Sequence, residues 1–232
     1  MTSATARYDD SQSDGPRGWE ERAVARSLDK ARHRTLRHAH RAVAAAEALF
    51  SDDADFTMAQ VAAAAGMSLK TLYRHFASKE DLLLAVWEEL TRRGAAALED
   101  MVDTHTAPLE RITAFIEGLF TLTSQDTRYS ARFVATHWRV AQARPREMAA
   151  TRAPMIDLIA REIARAAEVG AVRSDASRSD AEMVFTLTLA GLHAATLLPD
   201  DVTVQRQVDE LIRFCFHALG ASPDAPRASA IE

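Results

Sequence analysis

The stretch FTMAQVAAAAGMSLKTLYRHFASKED, residues 56–81, decides the fold because it contains three helix starts in close succession. Thr57 caps the first helix and pairs with Gln60, three residues later, in a capping box. Gly66 then supplies the left-handed turn residue that ends this helix, and Ser68 caps the next one. The SKED run at the end of the stretch repeats the capping box and opens a longer apolar helix. Two short helices joined by a tight turn predict a helix-turn-helix, whose second helix enters the major groove of DNA.

Positive charge is concentrated in and just before this stretch. The whole chain of 232 residues has a net charge of −5. Residues 29–80 carry eight basic and six acidic side chains, whereas residues 81–232 carry 16 basic and 22 acidic ones. Five of the basic residues lie in one predicted helix, over residues 29–50: Lys30, Arg32, Arg34, Arg37 and Arg41. A local positive surface is typical of phosphate contact, and an ordinary solvated helix face is the alternative.

The composition favours an all-α globular protein. Hydrophobic residues make up 47% of the chain, which has only 8 Gly and 7 Pro, and alternating strand patterns are absent. Residues 1–28 are predicted to form a tail that is disordered or partly helical. Residues 29–80 are predicted to form a DNA-binding domain of three helices, and residues 81–220 are predicted to form a larger domain of six helices. Residues 221–232 predict a flexible tail.

Several functional classes do not fit the sequence. Cys215 is the single cysteine, which excludes a disulfide framework and a Cys-based zinc site. His33, His38 and His40 lie among five positive charges, which disfavour a metal ion. The chain has no Gly-rich phosphate loop, no metalloprotease or hydrolase motif, and no recognisable pair of catalytic carboxylates. We therefore expect no enzyme activity, no cofactor and no metal.

The expected location is the cytoplasm, with no membrane partner. No apolar run in the sequence reaches the length of a membrane span. The polar N-terminus lacks the apolar core of a signal peptide.

The run AAGMSLKTLYRHFASKEDLL resembles the DNA-binding motif of the TetR (tetracycline-repressor-like) transcriptional regulators. The family pattern is a small-residue helix, a glycine, an apolar residue, a recognition helix ending in Leu-Tyr-x-His/Tyr-Phe, and then Ser-Lys-Glu. The close resemblance covers about residues 34–90. It implies a homodimeric regulator, a repressor rather than an activator, that binds a near-palindromic double-stranded DNA operator. It also implies that a small-molecule effector binds in the larger domain and changes the separation of the two DNA-binding units.

Two other functions stay open. One is a ligand-independent DNA-binding architectural protein, for which a rigid, filled core in the larger domain would be evidence. The other is a helical enzyme fused to a DNA-binding module, for which turnover of a bound small molecule would be evidence.

Nine residues are predicted at the DNA interface. Ser68 and the candidates for base readout face DNA from the recognition helix: Leu69, Lys70, Thr71 and Arg74. Thr57 and Lys79 lie at helix N-termini, where backbone N–H groups also face anions. The resemblance implies that Tyr73, His75 and Lys79 contact the phosphate backbone. Lys70 departs from the small residue often found there, so the family's base preference does not carry over.

The last two predicted helices are too apolar for each to bury only one face. The resemblance implies that they form a four-helix dimer interface about a two-fold axis. The candidates on the first are Leu187, Gly191, Ala194, Ala195 and Leu198, and those on the second are Leu211 and Cys215. The alternative is that both helices belong to the core of one chain.

A ligand cavity is predicted inside the larger domain, where aromatic, Met and His side chains from successive helices can converge. The candidates are Phe115, Phe133, His137, Trp138, Met155, Phe185 and His193. The same side chains are typical of any helical core, and the resemblance is what favours a cavity. Because no charged residue is clearly placed to pair with a charged ligand, we expect a neutral or weakly polar compound.

Overall fold

The computed structural model of the chain describes residues 18–52, 56–124, 136–176, 178–195 and 201–221. The described residues form ten helices and no strand, which confirms the all-α prediction. In chain order the helices are α1 (Gly18–Asp52), α2 (Met58–Ala64), α3 (Leu69–His75), α4 (Lys79–Val102), α5 (Pro108–Ser124), α6 (136–143), α7 (Pro145–Thr151), α8 (Ala153–Glu168), α9 (Arg178–Ala195) and α10 (Asp201–Ala218).

Two helix boundaries differ from the sequence pattern, which predicts nine helices. The helix predicted after the break at residues 144–146 is two helices, because Arg152 ends α7 and directly precedes α8. Pro154 lies in the first turn of α8, where its missing N–H has no partner within the helix anyway. At the other end of the chain, α1 begins at Gly18, so the possible helical extension is continuous with the first predicted helix.

One core joins the helix-turn-helix to the helices around it. Its buried members from α1 to α4 include Ala42, Ala46, Phe50, Phe56, Met58, Val61, Leu72, Leu82, Val86 and Trp87. We call this set, with Val140 of α6 and Met148 of α7, the N-terminal core. Leu36 continues the apolar stripe of α1, but its side chain is exposed because the packing partners of α1 begin closer to Ala42.

A second core holds the larger domain together. Its fully buried side chains come from the end of α4, α5 and α8: Leu98, Val102, Ile112, Phe115, Ile116, Ile159 and Ile163. Helices α9 and α10 close it with Phe185, Leu192 and Cys215. At Gly94, α4 approaches α8 so closely that a Cβ atom there would lie 2.8 Å from Met155 Cε.

A buried ion pair connects α5 to α8 in this core. Arg111 Nε donates to Glu162 Oε2 at 2.6 Å, while Arg111 Nη1 donates to the carbonyl groups of Val102 and His105 at 3.2 and 2.9 Å. Burial acts to raise the pKa of Glu162, but hydrogen bonds from Arg111 and Arg165 outweigh it and hold the pKa below the usual value. The pair therefore fixes the end of α4 against α5 and α8.

Candidate DNA interface and ligand cavity

The helix-turn-helix is held by the capping residues that the sequence indicates. Gln60 N–H donates to Thr57 Oγ1 at 3.2 Å and Thr57 N–H donates to Gln60 Oε1 at 2.7 Å, which confirms the first capping box. Thr71 N–H donates to Ser68 Oγ at 3.1 Å at the start of the recognition helix α3. Gly66 has φ of 61°, as the predicted left-handed turn requires.

The third cap is confirmed in part and differs in one bond. Asp81 N–H donates to Ser78 Oγ at 3.1 Å, as expected of a capping residue. The Asp81 carboxylate accepts from Ala77 N–H at 3.1 Å rather than from the Ser78 N–H of a capping box. The same carboxylate accepts from Arg144 Nη1 at 2.5 Å, so the first turn of α4 is tied to the residue before α7.

Arg41 has a structural role in the turn between α2 and α3. Its Nη2 donates to the carbonyl of Ala65 and lies 3.4 Å from the carbonyl of Gly66. These carbonyl groups end α2, where a cation is favourable. A Cβ atom at Gly66 would lie 2.7 Å from Arg41 Nη2, so a side chain there would displace the guanidinium from these carbonyl groups. One member of the basic cluster of α1 is therefore engaged in the fold.

The recognition helix presents one buried and one exposed face. Leu72 is fully buried in the N-terminal core. The exposed predicted DNA contacts are Thr57 before α2, with Ser68, Leu69, Lys70, Tyr73 and Arg74 around α3. Thr71 is half-buried and its Oγ1 lies 2.9 Å from Ser68 Oγ. The structure thus places these side chains on the accessible side of the helix-turn-helix.

His75 and Lys79 lie at the edge of this surface. The His75 ring is half-buried and packs edge-on against His38 with 5.9 Å between centroids. Burial lowers the pKa of His75, and the positive charges of His38 and Arg74 lower it further. Lys79 Nζ lies 4.6 Å from the centroid of the Phe56 ring, a cation–π distance, at the N-terminus of α4.

A cavity of about 380 Å³ lies between the N-terminal core and the core of the larger domain. Most of its wall is apolar, and the larger side chains are Trp87, Leu90, Leu119, Leu122, Met155, Phe185, Leu189 and Leu192. The polar part of the wall consists of Glu47, Thr91, Arg93, Thr123, His137, Thr151, Arg152 and Thr188. This volume lies in the range of about 300–1,000 Å³ that is typical of small-molecule sites.

Three predicted ligand residues line this cavity and three others do not. His137, Met155 and Phe185 are in its wall. Phe115 is fully buried in the core of the larger domain, away from the wall. Trp138 is exposed, and its indole Nε1 donates to His193 Nδ1 at 3.2 Å outside the cavity wall.

Phe133 lies outside the described residues. Trp138 and His193 contact each other outside the wall, although the sequence pattern predicts both as ligand residues. The sequence pattern gives the helices but does not fix the rotation of each helix about its axis.

The charged residues of the wall were missed by sequence reasoning. Arg93 Nη2 pairs with Glu47 Oε1 at 2.5 Å, linking α4 to α1. Arg152 Nε is shielded from solvent and has no hydrogen-bond partner among the described residues. Burial lowers the pKa of His137, and the positive charge of Arg152 lowers it further. The wall thus contains charged side chains that the sequence pattern did not indicate.

The predicted dimer residues divide into buried and partly exposed ones. Cys215 is buried in its own chain, and burial raises the pKa of its thiol to about 11. A Cβ atom at Gly191 would lie 3.3 Å from Phe120 Cζ and 3.4 Å from Leu211 Cδ2, so this glycine accommodates packing within the chain. The half-buried candidates are Leu187, Ala194, Ala195 and Leu211, and Leu198 lies outside the described residues.

Two large apolar side chains on the same helices are exposed instead. Met183 of α9 is 59% exposed and Phe214 of α10 is 61% exposed. Neither belongs to the apolar stripe that the sequence pattern assigns to the interface.

Helix α7 contacts both the N-terminal core and the cavity. Met148 near its middle is buried in the N-terminal core, while Thr151 at its end and Arg152 after it line the cavity. Arg144, directly before α7, pairs with Asp81 at the start of α4. A shift of α7 at the cavity would therefore act on the packing of the helix-turn-helix.

Comparison with known proteins agrees with this geometry. The family model of bacterial regulatory proteins, tetR family, matches residues 42–86, from the last third of α1 into α4. No curated protein sequence matches the chain. Among the described helices, none is both long enough and apolar enough to cross a membrane.

Three solved structures have similar folds at low sequence identity. Thermus thermophilus FadR, a TetR-family repressor in complex with lauroyl-CoA, has a TM-score of 0.64 at 18% identity, over 83% of this chain and 100% of that one. RolR in complex with resorcinol has a TM-score of 0.63 at 17% identity, over 82% and 91% of the two chains. Bacillus subtilis FadR in complex with stearoyl-CoA has a TM-score of 0.61 at 12% identity, over 76% and 96%.

Proposed function

We propose that this chain, a TetR-family transcriptional regulator, is a cytoplasmic homodimeric repressor that leaves its operator when a small molecule occupies the cavity. The observation that carries the proposal is the position of α7. Its central Met148 is packed in the N-terminal core, while Thr151 at its end and Arg152 directly after it line the cavity. One rigid helical turn thus separates the effector cavity from the support of the DNA-binding helices.

The DNA-binding step uses the accessible side of the helix-turn-helix. Lys70 and Arg74 are four residues apart on α3, are exposed, and have the donors that read guanine edges or hold phosphates. Thr57 and Lys79 lie at the N-termini of α2 and α4, where they can hold phosphates on either side of the groove. Tyr73 is exposed beside them and supplies a further phosphate donor.

The release step follows from differential binding. An effector shifts the equilibrium only if it binds one arrangement of α7 and α4 more tightly than the other. Trp87 and Arg93 of α4 line the cavity together with Arg152, and α4 begins at the helix-turn-helix. A ligand that separates these two parts of the wall would move α4 and change the distance between the two recognition helices of a dimer.

The proposed dimer uses the outer faces of α9 and α10. Met183 and Phe214 are exposed there, and Leu187, Ala194 and Leu211 are half-buried on the same two helices. Two-fold pairing of such a face would cover the apolar surface and generate the symmetry that a near-palindromic operator requires.

The cavity favours this function over a ligand-independent architectural protein. An architectural protein needs no internal volume, whereas about 380 Å³ with a mixed apolar and polar wall suits a small molecule. The ligands of the three similar structures are lauroyl-CoA, stearoyl-CoA and resorcinol, so proteins of this fold bind molecules of different sizes.

The test is selection of bound duplexes from a random DNA pool with the full chain, followed by a screen for compounds that release the selected DNA. We expect a recovered site with two-fold symmetry and at least one compound that weakens binding. A chain that selects no sequence, or that is released by no compound in a broad set of acids, alcohols and phenols, would contradict the proposal.

A further inference from the structure

Among the described residues of the cavity wall, one positive charge is in excess. Arg93 is paired with Glu47 at 2.5 Å, so these two charges compensate each other. Arg152 has no ion-pair partner among the described residues, and its Nε is shielded from solvent without a hydrogen bond. Burial and the charge of Arg152 lower the pKa of His137, which favours its neutral imidazole. One guanidinium is therefore left uncompensated beside an apolar surface.

Few other groups in the wall can donate a hydrogen bond to a ligand. Thr151 Oγ1 donates to the carbonyl of Met148 at 2.8 Å, and Thr188 Oγ1 donates to the carbonyl of Val184 at 2.8 Å. Thr123 Oγ1 donates to the carbonyl of Leu119 at 2.8 Å. These hydroxyl protons are committed to the preceding turns of their own helices, which is common for Thr inside a helix. Arg152 is the strongest donor that remains.

The shielded Nε of Arg152, without a hydrogen-bond partner among the described residues, is costly to the fold. A polar group out of water normally has a hydrogen-bond partner, and a charge normally has a counter-charge. An anionic group in the cavity would supply both, because a carboxylate accepts two parallel hydrogen bonds from a guanidinium. The remaining wall, with Leu119, Met155 and Phe185, suits an apolar body attached to that group.

We propose that the effector is an amphipathic organic acid whose single carboxylate binds Arg152 and whose apolar body fills the space between α4, α5 and α9. This inference rests on the proposed effector cavity and names the ligand chemistry that the cavity selects. The apolar body can be an alkyl chain or an aromatic ring, since both suit an apolar wall. The experiment distinguishes these two kinds of ligand.

The experiment is isothermal titration calorimetry of the full chain with two matched sets of probes below their micelle concentrations. The alkyl set is decanoate, 1-decanol and decyltrimethylammonium, and the aromatic set is 2-naphthoate and 2-naphthol. We expect one of the two acids to bind at least about tenfold more tightly than its own alcohol, because hydrogen bonds between charged groups are the strong ones. The cation should bind more weakly than the alcohol.

Two variants of similar side-chain length locate the effect. Arg152→Met should weaken binding of the preferred acid about tenfold or more and leave the alcohol unchanged, so that the preference disappears. Arg146→Met, an exposed position on α7 outside the cavity wall, should bind like the wild type. Arg152→Lys should retain part of the preference, since it keeps the charge and loses the paired donors.

A stability measurement separates ligand binding from a structural role. Because the Arg152 side chain has no hydrogen-bond or ion-pair partner among the described residues, Arg152→Met should unfold at the same or a higher temperature than the wild type when no probe is present. In the presence of the preferred acid, the wild type should gain thermal stability and the variant should not.

Three outcomes would overturn the inference: neither acid binds, an alcohol binds as tightly as its acid, or Arg152→Met keeps the preference for the acid. The DNA-release assay tests the proposed function independently. Acid binding that depends on Arg152 without release of DNA would support the inference and contradict ligand-gated repression. If a neutral compound releases DNA and Arg152→Met does not change this release, the result would support ligand-gated repression and contradict the inference.

Discussion

Arg144 Nη1 lies 2.5 Å from Asp81 Oδ1, and this ion pair joins the start of α7 to the first turn of α4. Arg144 also donates from Nε to Glu147 Oε1 at 2.8 Å, so the guanidinium is held in place from both sides. Both side chains are about one-third exposed or less. The Arg144–Asp81 ion pair can therefore transmit a movement of α7 to α4.

Arg144→Ala should weaken the response to the effector more than it weakens DNA binding. A partly exposed ion pair contributes at most about 1 kcal/mol, which corresponds to roughly a fivefold change in the coupling between the two ligands. The measurement is operator affinity with and without saturating effector. Arg146→Ala, which removes an exposed arginine on α7, is the control and should leave the ratio unchanged. Equal ratios in all three proteins would show that the pair carries no coupling.

Lys79→Ala should weaken binding to all DNA sequences by a similar factor, because we assign this side chain to a phosphate. The slope of log affinity against log salt concentration should fall by about one unit. Lys70→Ala provides the contrast, since a residue that reads a base should change the preferred sequence. Salt titrations on the selected site and on one mismatched site distinguish the two. A new sequence preference in Lys79→Ala would mean that this assignment is wrong.

Gly66→Ala should destabilise the fold for two reasons, namely φ of 61° and the approach of Arg41 Nη2 to within 2.7 Å of the new Cβ. The backbone conformation alone costs about 1–2 kcal/mol for a residue with a side chain. Gly170→Ala is a matched control, because Gly170 has φ of 72° and open space around its Cβ position.

Urea unfolding should therefore give a larger loss for Gly66→Ala than for Gly170→Ala. The additional loss of stability at Gly66 should become smaller in the double variant Gly66→Ala with Arg41→Ala, because Arg41→Ala removes the close atom. An equal loss at the two glycines would show that the contact with Arg41 adds nothing.

Glu162→Gln should destabilise the protein by roughly 3 kcal/mol at pH 7, because it removes the buried counter-charge of Arg111. The pKa of Glu162 is lower in the folded state than its ordinary value of 4.5. Its carboxylate therefore stabilises the fold fully above that value, and the contribution is lost as the pH falls through the folded pKa.

The difference between wild type and Glu162→Gln in urea unfolding should accordingly shrink at pH values below 4.5. Glu99→Gln is the control, since its ion pair with Arg161 is about half exposed and should contribute little at either pH. A difference that stays constant with pH would contradict the role assigned to the Glu162 charge.

Phe214→Glu should convert the proposed dimer into monomers at micromolar concentration without unfolding the chain. A charge at an apolar interface is costly to bury, whereas the same substitution on an exposed surface is tolerated. Val169→Glu is the control, because Val169 is also exposed and apolar but lies at the end of α8. Sedimentation velocity and circular dichroism together give mass and fold. A Phe214→Glu variant that stays dimeric would move the interface elsewhere.

Local interactions were predictable from the sequence, and interactions between distant residues were not. The caps formed by Thr57, Ser68 and Ser78 were predictable because donor and acceptor are only three residues apart. The contact of Arg41 with Ala65 spans 24 residues, and the bond of Arg111 with Glu162 spans 51. No periodic pattern in the sequence indicates such partners.

The cavity could be predicted only in part for a related reason. Apolar composition indicated that Met155 and Phe185 face inward, but it said nothing about which inward side chains leave a space between them. The sequence pattern places Trp87 in a connecting helix and Arg152 after a predicted break. Neither position indicates that the side chain lines the cavity. Gly191 had a signal for close packing, but the sequence could not show that its partners are Phe120 and Leu211 of the same chain.

The fluorescence of Trp87 can report whether the cavity is occupied. Of its 3 tryptophans, Trp87 is 4% exposed in the cavity wall, whereas Trp19 and Trp138 are 70% and 53% exposed. An aqueous quencher such as iodide would suppress emission from the two exposed indoles and leave the short-wavelength emission of Trp87. The Trp87 ring lies 5.4 Å from the His137 ring, so a molecule entering beside them changes the surroundings of this one fluorophore. Its quenched spectrum would follow occupancy in real time without any attached label.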